Sequence, residues 1–499
     1  MIGVLQKRKK RSRGPAVSRP NPQRRAELGQ VMTPEAVACF MASLFTFERG
    51  SVARVLDSGA GMGALSEALV REWIEKTSMA SPLFLTAYEV DPGMLSRLKP
   101  CLERRRRAVR QQGGNLNVTV LPHDFIQAVA NPFEFGNPGV FTHAILNPPY
   151  KKISGDSMHR KWLRDAGVET VNLYSGFVAL ALQLLAPGGQ LVAIVPRSFC
   201  NGPYYRSFRK GLLRNAALEQ VHLFESRKEA FKADGVLQEN VIIKLVRGAR
   251  QGPVIISTSR DGSFADYQAR AVRFEDVVNP DDAEKFIRIP WDEKKSGNPV
   301  PFHHTLGELG FRVSTGPVVD FRLKEFLSDE TGSGMAPLLY PCHFADGELR
   351  WPAKLSKKKS AIRDSSETHR WLYPAGCYVL TRRLSSKEEP RRIVAHMITR
   401  SSLPGYEWIG FENHLNVFHT QKNGLEENVA RGLCVYLNSS WADQYFRDFN
   451  GHTQVNATDL RALPYPSARQ LEQLGTWAAQ TPRLSQQQID LLVERAHEN

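Results

Sequence analysis

Val55-Leu56-Asp57-Ser58-Gly59-Ala60-Gly61-Met62-Gly63 marks the point where an apolar run gives way to an amphipathic one. A strand that ends in an acid and passes through alternating glycines into a helix makes a tight turn, and without Cβ atoms a ligand can approach its backbone closely. Several kinds of nucleotide cofactor use such a loop, so the glycines alone do not choose among them. The next strand narrows the choice, because Ala87-Tyr88-Glu89-Val90-Asp91 places Glu89 at its end. A carboxylate there can accept both ribose hydroxyls of an adenosine-containing cofactor.

Working outward, apolar runs alternate with amphipathic stretches from about Thr33 to Arg247. The period predicts strands at Ala53–Asp57, Leu83–Glu89, Asn117–Leu121, Thr142–Leu146, Gln190–Val195, Leu218–Phe224 and Asn240–Leu245. Helices are expected at Pro34–Phe45, Ala64–Lys76, Pro92–Arg110, Leu173–Leu185 and Tyr204–Arg214. Such alternation gives an α/β fold with a mostly parallel, doubly wound sheet of seven strands. No good helix separates the last two strands, which predicts an antiparallel finish at one edge. The third strand ends in Asp124-Phe125; the acid could accept from an adenine amino group and the ring could cover the base. Alone, the same pair would read as a helix N-cap beside a core phenylalanine.

The fourth strand runs into Asn147-Pro148-Pro149-Tyr150. Two prolines fix their own φ and push the residues before them into extended geometry, so the turn is rigid. Neither proline has an N–H, which leaves carbonyls as unopposed acceptors, and Asn147 adds a side-chain carbonyl. Two such acceptors can hold the hydrogens of a planar –NH2 group and free its lone pair for attack. Tyr150 offers a π face for stacking a base.

At 499 residues and 42% hydrophobic content the chain can bury two to four domain cores. Its net charge of +15 makes nucleic acid a leading partner class, while 51 acidic residues imply a globular protein with a basic face. Nine of the excess cations lie in residues 1–25, a segment with no acid and three prolines, which reads as a flexible basic arm over 1–28. Six scattered cysteines without a CxxC pair argue against a zinc ribbon or a disulfide framework. No apolar stretch approaches the roughly 20 residues that span a bilayer, and nothing resembles a signal peptide, so a soluble, cytoplasmic protein with no membrane partner is expected.

After about Gly252 the composition shifts to Pro, Ser, Thr and short β-rich runs. The expected organisation is a cofactor-binding catalytic domain over 29–250, a linker over 251–300, an irregular α+β domain over 301–466, and a helical segment over 467–499 containing one polar helix, Gln470–Glu498. Basic clusters at Lys357–Lys359, Arg382–Arg383 and Arg391–Arg392 would suit phosphates. His303-His304 and His414 lack metal-ligand spacing, and no PD-(D/E)xK arrangement of a fused nuclease is present.

With these motifs in this order, the chain resembles the adenine-N6 DNA methyltransferases that use S-adenosylmethionine. The order, cofactor half first and DNA-reading half after, is that of the gamma class with its TaqI-like layout, and a PstI-like subgroup is suggested. The resemblance implies a seven-stranded S-adenosylmethionine-dependent methyltransferase fold with a C-terminal α+β target-recognition domain. Gly29-Gln30-Val31-Met32-Thr33-Pro34 is similar to the family's N-terminal motif, which implies that Thr33 and Pro34 help hold the methionine end of the cofactor. Asp57, Gly59 and Gly61 correspond to its cofactor loop, Glu89 to its ribose-binding acid, and Asp124 with Phe125 to its adenine-contacting pair. Asn147, Pro148, Pro149 and Tyr150 match its catalytic tetrapeptide, with Tyr150 stacking on the target base. Ser226–Phe231 resembles the region whose aromatic packs on that base, so Phe231 is the second stacking candidate. The loop wording Asp-Ser-Gly-Ala-Gly departs from the commoner Asp-Pro-x-x-Gly. Leu306–Gly316 and Gly451–Asn456 look like borders of the recognition domain.

The resemblance implies transfer of a methyl group to a flipped adenine in double-stranded DNA, in a restriction–modification system or without a partner endonuclease. It requires no metal. A monomer is expected, and a dimer is compatible with the sequence. The tetrapeptide also occurs in release-factor glutamine methyltransferases and some RNA methyltransferases, so an RNA or protein amide methyltransferase is an alternative. A DNA-specificity module with a vestigial catalytic half is another.

Deleting residues 1–25 should weaken DNA binding and flatten its salt dependence, because up to nine cations would no longer displace counterions. An unchanged slope of log affinity against log salt would show the arm to be idle.

Overall fold

The computed structural model describes residues 32–225, 239–290, 302–345, 348–352, 358–386, 388–450, 453–481 and 483–498. The expected basic arm 1–28, residues 29–31, the stretch Ser226–Phe231 with the stacking candidate Phe231, and Gly451 with His452 lie outside the described residues.

The seven expected strands form: β1 (Ala53–Asp57), β2 (Leu83–Tyr88), β3 (Leu116–Leu121), β4 (Phe141–Leu146), β5 (Leu185–Pro196), β6 (Ala216–Phe224) and β7 (Asn240–Arg247). Two more, β8 (Val254–Ser259) and β9 (Gln268–Val272), bring the hydrogen-bonded order to β3-β2-β1-β4-β5-β7-β6-β8-β9. The seven-strand count is therefore corrected to nine. Val254–Ser259 was legible only as part of a linker because Gly252-Pro253 and a run of Ser and Thr surround it, yet its side chains are almost all buried. Strands β1 to β5 pair in parallel. Strand β7 pairs antiparallel with both β5 and β6, as expected, but β8 and β9 lie beyond β6, so this antiparallel set is not the edge.

Strand order reverses between β1 and β4. The crevice beyond the carboxyl ends of strands at such a switch point is where open α/β sheets bind ligands. Glu35–Ser43 (α1), Ala64–Thr77 (α2), Pro92–Gln111 (α3), Phe125–Ala130 (α4), Pro132–Phe135 (α5), Met158–Asp165 (α6), Leu173–Gln183 (α7) and Arg206–Asn215 (α8) supply the helices. Asp91 starts α3 by accepting from the Gly93 and Met94 amides, with Pro92 in the first helical position. At the start of α2, Gly63 has φ +94°, and a Cβ there would sit 3.0 Å from Leu98 Cδ1. Glycine is favoured at that position by its backbone conformation, and a larger residue would also press on the Leu98 side chain. Val55, Leu69, Trp73, Leu85, Ile145 and Val192 are fully or almost fully buried in the core between sheet and helices.

The chain divides into two compact units. The first comprises Met1–Pro196, Gly211–Gln251 and Ser259–Tyr267; the second comprises Arg197–Lys210, Gly252–Thr258 and Gln268–Asn499. This corrects the expected boundaries at 250 and 300. Arg197–Lys210 belongs with the second unit, where the Arg197 Nη2 donates to the carbonyls of Arg447 and Asp448 at 2.9 Å. The fully buried Arg209 likewise donates to the carbonyls of Phe199, Gly202 and Glu284. Guanidinium groups with several fixed donors suit this role, because each can satisfy two or three buried carbonyls at once.

The second unit contains both helices and strands. It holds a four-stranded antiparallel sheet in the order Arg312–Thr315, Leu415–His419, Tyr378–Arg382 and Ala395–Ile398. A five-stranded sheet includes Met335–Leu339 paired with Ala361–Arg363 and Trp408–Phe411. Helices Glu427–Leu437 (α9), Ser440–Phe449 (α10), Ala457–Arg461 (α11), Ala468–Ala478 (α12) and Gln486–Glu498 (α13) complete it. The single terminal helix expected at Gln470–Glu498 is thus two, with Pro482 in the sequence between them, where a helix would lose a hydrogen bond. Their buried residues Leu471, Leu474, Val493 and Ala496 join the core of this unit, so the segment is not an appendage.

Helices α9 and α12 cross in near-backbone contact. A Cβ on Gly432 would lie 1.8 Å from the Leu471 carbonyl oxygen, and one on Gly475 would lie 1.8 Å from that of Asn428. Backbone cannot yield as a side chain does, so Gly432→Ala or Gly475→Ala should destabilise the protein by about 2–3 kcal/mol, the upper range for overpacking. Urea denaturation checks this; an unchanged midpoint would contradict the crossing.

Candidate active site

The glycine loop leaves β1 at Asp57, whose side chain is fully buried. Ser66 Oγ, from the first turn of α2, donates to Asp57 Oδ2 at 2.7 Å. Oδ1 has no hydrogen-bond partner among the described residues. Burial pushes the Asp57 carboxyl up to about 7, with Ser66 and the Gly59 amide pulling it down and the nearby Glu89 charge pushing it further up. Glu89, 6% exposed at the end of β2, accepts from the Gly61 amide at 2.8 Å through Oε2 and from the Asp91 amide at 2.7 Å through Oε1. Burial raises its pKa as well, against those amide bonds. Each Glu89 oxygen keeps a lone pair for a further donor. The loop therefore presents two buried carboxylates, one of them incompletely bonded, a pattern that suits a ligand bringing positive charge and hydroxyl donors.

At the end of β3, Asp124 is the N-cap of α4, accepting from the Gln127 amide at 3.0 Å. Its other oxygen meets His159 Nε2 of α6 at 2.9 Å. Burial alone would raise the Asp124 carboxyl, but His159 and the helix amides outweigh it and hold the pKa below the ordinary range. Phe125 is 1% exposed and packs edge-on against Tyr88 at 5.2 Å and tilted against Phe177 at 5.3 Å. Its ring is packed into the core rather than exposed.

The Asn-Pro-Pro-Tyr turn begins where β4 ends, between β1 and β5. A Cβ built on Gly59 would come within 3.9 Å of the Asn147 carbonyl oxygen and of the Phe177 ring, which brings the cofactor-type loop and this turn side by side. Asn147 Nδ2 donates to Thr33 Oγ1 at 2.8 Å, across 114 residues of sequence. Tyr150 Oη lies 3.2 Å from Asn147 Oδ1 and 3.3 Å from the Ile194 carbonyl of β5. Burial raises the Tyr150 pKa, so its hydroxyl stays a neutral donor. The ring meets Tyr174 edge-to-face at 6.2 Å. Pro148 is buried and Pro149 half-buried. Pro34, beside Thr33, is exposed at the start of α1.

Contacts thus link Gly61 to Glu89, Gly59 to Asn147, and Thr33 and Tyr150 to Asn147, with Asp57 at the head of the same loop and Asp124 and Phe125 at the end of β3. Sequence reasoning missed Ser66 and His159. Ser66 stands in the first turn after the glycine loop, facing back to the strand, which was a readable position. His159 is on a short helix that the apolar period did not reveal. The basic clusters of the second half are largely occupied within the protein. Lys358 and Lys359 pair with Asp320 and Asp329, Arg382 with Glu389, and Arg383 donates to the Asn413 carbonyl. Arg392 is buried, donating to Ser385 and Asn450.

A glycine loop with two buried carboxylates beside a rigid, carbonyl-rich turn can hold a cationic nucleoside-like group next to an –NH2 acceptor, the arrangement of a group-transfer enzyme. The family described as Eco57I restriction-modification methylase matches residues 102–231, which include the tetrapeptide. The type II methyltransferase M.BsuBI of Bacillus subtilis is 46% identical over 481 residues, 94% of this chain and 94% of that protein. The type II methyltransferase M.PstI of Providencia stuartii is 42% identical over 459 residues, 90% and 89% of the two. Among solved structures, the type IIL restriction-modification enzyme MmeI in complex with DNA shares 12% identity at a TM-score of 0.49, over 92% of this chain and 69% of that one. The chain belongs to the type II methyltransferases. Among the described residues, no helix is long and apolar enough to cross a membrane.

The raised Asp57 pKa carries a stability consequence. An acid at 3.8 when unfolded and about 7 when folded makes the native state bind the extra proton, so its contribution falls as pH rises across that window. The melting temperature of Asp57→Asn relative to wild type should therefore climb between pH 5 and pH 8. A difference that stays flat over this range would contradict a buried carboxylate whose pKa is raised by burial.

Proposed function

We propose that this protein is a site-specific DNA methyltransferase that moves the methyl group of S-adenosylmethionine to N6 of an adenine flipped out of the duplex. The observation that carries the reading is the position of Asn147: on a turn whose two prolines lack N–H groups, beside the glycine loop, with its side-chain amide held at both ends. Family membership supports the methyl-transfer class and the restriction–modification setting. On this reading the first unit has the S-adenosylmethionine-dependent methyltransferase fold and the second acts as the target-recognition domain. A cognate endonuclease of the same site is a natural partner.

The residues present fit the cofactor. Its ammonium and sulfonium charges answer the two buried carboxylates, and its ribose hydroxyls answer the remaining Glu89 lone pairs. Asp124, already ionised, is an acceptor for the adenine amino group. When bound, the cofactor supplies an electrophilic methyl carbon. The protein does the rest by position. Asn147 Oδ1 and the Pro148 carbonyl would accept the two hydrogens of the target –NH2 and leave its lone pair free for methylation, and the N6 proton released would pass to water. No strong base is needed, because the amine becomes acidic only as it is alkylated. Tyr150, anchored through its hydroxyl, presents a fixed ring to the base. Flipping costs a few kcal/mol, and stacking returns roughly 1–3 kcal/mol of it.

Sequencing modified bases in DNA from cells expressing the protein should reveal N6-methyladenine in a single sequence context. Modified cytosine instead, or no modified base, would overturn the reading. Asn147→Ala should keep cofactor binding and lose methyl transfer by two or more orders of magnitude, as for a contact made to the reacting group. Single-turnover kinetics with a parallel cofactor titration separate the two effects.

A further inference from the structure

Asn240, the first residue of β7, is 3% exposed, and neither its Nδ2 nor its Oδ1 has a hydrogen-bond partner among the described residues. Val241, Ile242 and Ile243 follow it, all fully buried, so an apolar side chain would suit this strand better. A buried amide unbonded at both ends costs free energy, and a ligand that brings it a partner offsets that cost.

Sheet register shows where the amide lies. Leu146, the last residue of β4, pairs with Ala193 of β5, which pairs in turn with Ile243 of β7. Asn147 is one residue beyond Leu146. Asn240, opposite Pro196 on the antiparallel strand, is three residues beyond Ile243 toward the same edge of the sheet. Ile145, Ile194 and Ile242 line one core, and side chains alternate along a strand, so Asn240 continues that face at the edge where the Asn-Pro-Pro-Tyr turn begins. The Asn147 side chain is on the same side, bonded to Thr33 ahead of α1, whose Val37 and Met41 line that core too. Two strand spacings, roughly 10 Å, separate β4 from β7.

An adenine fits such a span. With its N6 hydrogens on Asn147 Oδ1 and the Pro148 carbonyl, the ring atom directly across from the amino-bearing carbon is N3, an acceptor. Along that axis, an adenine with a hydrogen bond of about 3 Å at each end covers a similar length. The C2–H beside N3 offers Oδ1 a weak donor. A cytosine held by its own amino group carries its sugar-bearing N1 at the same point, with no lone pair to accept.

We propose that Asn240 is a specificity-determining residue for the target base, its Nδ2 donating to N3 of the flipped adenine. The proposal rests on the methyltransferase reading above and adds the group that makes the acceptor adenine rather than cytosine. A base without an acceptor at that point leaves the buried amide unbonded, which is the situation in which a polar site discriminates most strongly.

The test uses the full-length protein and duplexes carrying the site found by modified-base sequencing, identical except at the target. One has adenine, one 3-deazaadenine, in which C–H replaces N3, and one 7-deazaadenine, which keeps N3. Single-turnover methylation with S-adenosylmethionine is measured for wild type and Asn240→Leu. Wild type should slow about tenfold or more on 3-deazaadenine and far less on 7-deazaadenine. Asn240→Leu should slow by a similar factor on adenine and lose nothing further on 3-deazaadenine. Its melting temperature should match or exceed that of wild type, because an apolar group of similar size replaces an unbonded amide. Wild type indifferent to N3, equal losses on the two analogues, or a variant that keeps the wild-type rates or melts well below wild type would overturn the proposal and leave the methyltransferase reading intact. Absence of methylation on the adenine duplex by wild type would overturn that reading, and the proposal with it.

Discussion

The side-chain amide of Asn147 is the point on which the site turns. It projects from a segment that two prolines make rigid and strip of N–H groups, at the end of a strand flanked by parallel neighbours on both sides. Even a half-buried amide loses free energy when an end is left unbonded, and here a hydroxyl just before α1 and another from the same turn meet both ends. The parallel sheet fixes where β4 ends, the glycine loop of β1 fixes what lies beside it, and Tyr150 ties the turn across to β5. Loosening any of these would move the Asn147 side chain relative to the glycine loop.

Around that point the protein tolerates electrostatics that a purely structural core would avoid. Two acids, Asp57 and Glu89, are buried within range of each other, and burial raises the pKa of both. A stability-driven sequence would have an amide or apolar group at Asp57, since an ionised carboxylate with an unbonded oxygen is costly. The cost becomes intelligible if a cationic ligand completes the site. Asp124 is the contrasting case: equally part of a strand end, it is bonded by His159 and helix amides and stays ionised. The difference between these acids is a difference of partners rather than of residue type.

Much of this was legible in the sequence, for physical reasons that also mark where legibility stops. Buried strands give continuous apolar runs, and all seven expected ones formed, with half of the ends unchanged and the others moved by one to five residues. Glycines and prolines announce turns by their own backbone limits, so the loop at Asp57 and the turn at Asn147 could be placed before any coordinates. Strand β8 was lost among Ser, Thr and Pro, because its burial depends on the sheet it joins and not on its own hydrophobicity. The amphipathic helices α9 to α11 were hidden in a domain of short irregular elements. Long-range polar partners were least readable: nothing local connects Thr33 to Asn147, or Arg197 to the carbonyls of Arg447 and Asp448. The arginine and lysine clusters show the same limit from the other side, since a charge run in sequence does not reveal whether an internal acid or carbonyl already claims it.

The most direct test of the central claim, that the glycine loop and the Asn147 turn form one site, is a crystal structure of the protein with S-adenosylhomocysteine. The account predicts the ribose hydroxyls on Glu89, a donor group of the ligand within hydrogen-bonding distance of Asp57 Oδ1, and the sulfur facing the Asn147 side chain. A ligand bound with its sulfur directed away from that turn, or without contact to Glu89, would contradict it.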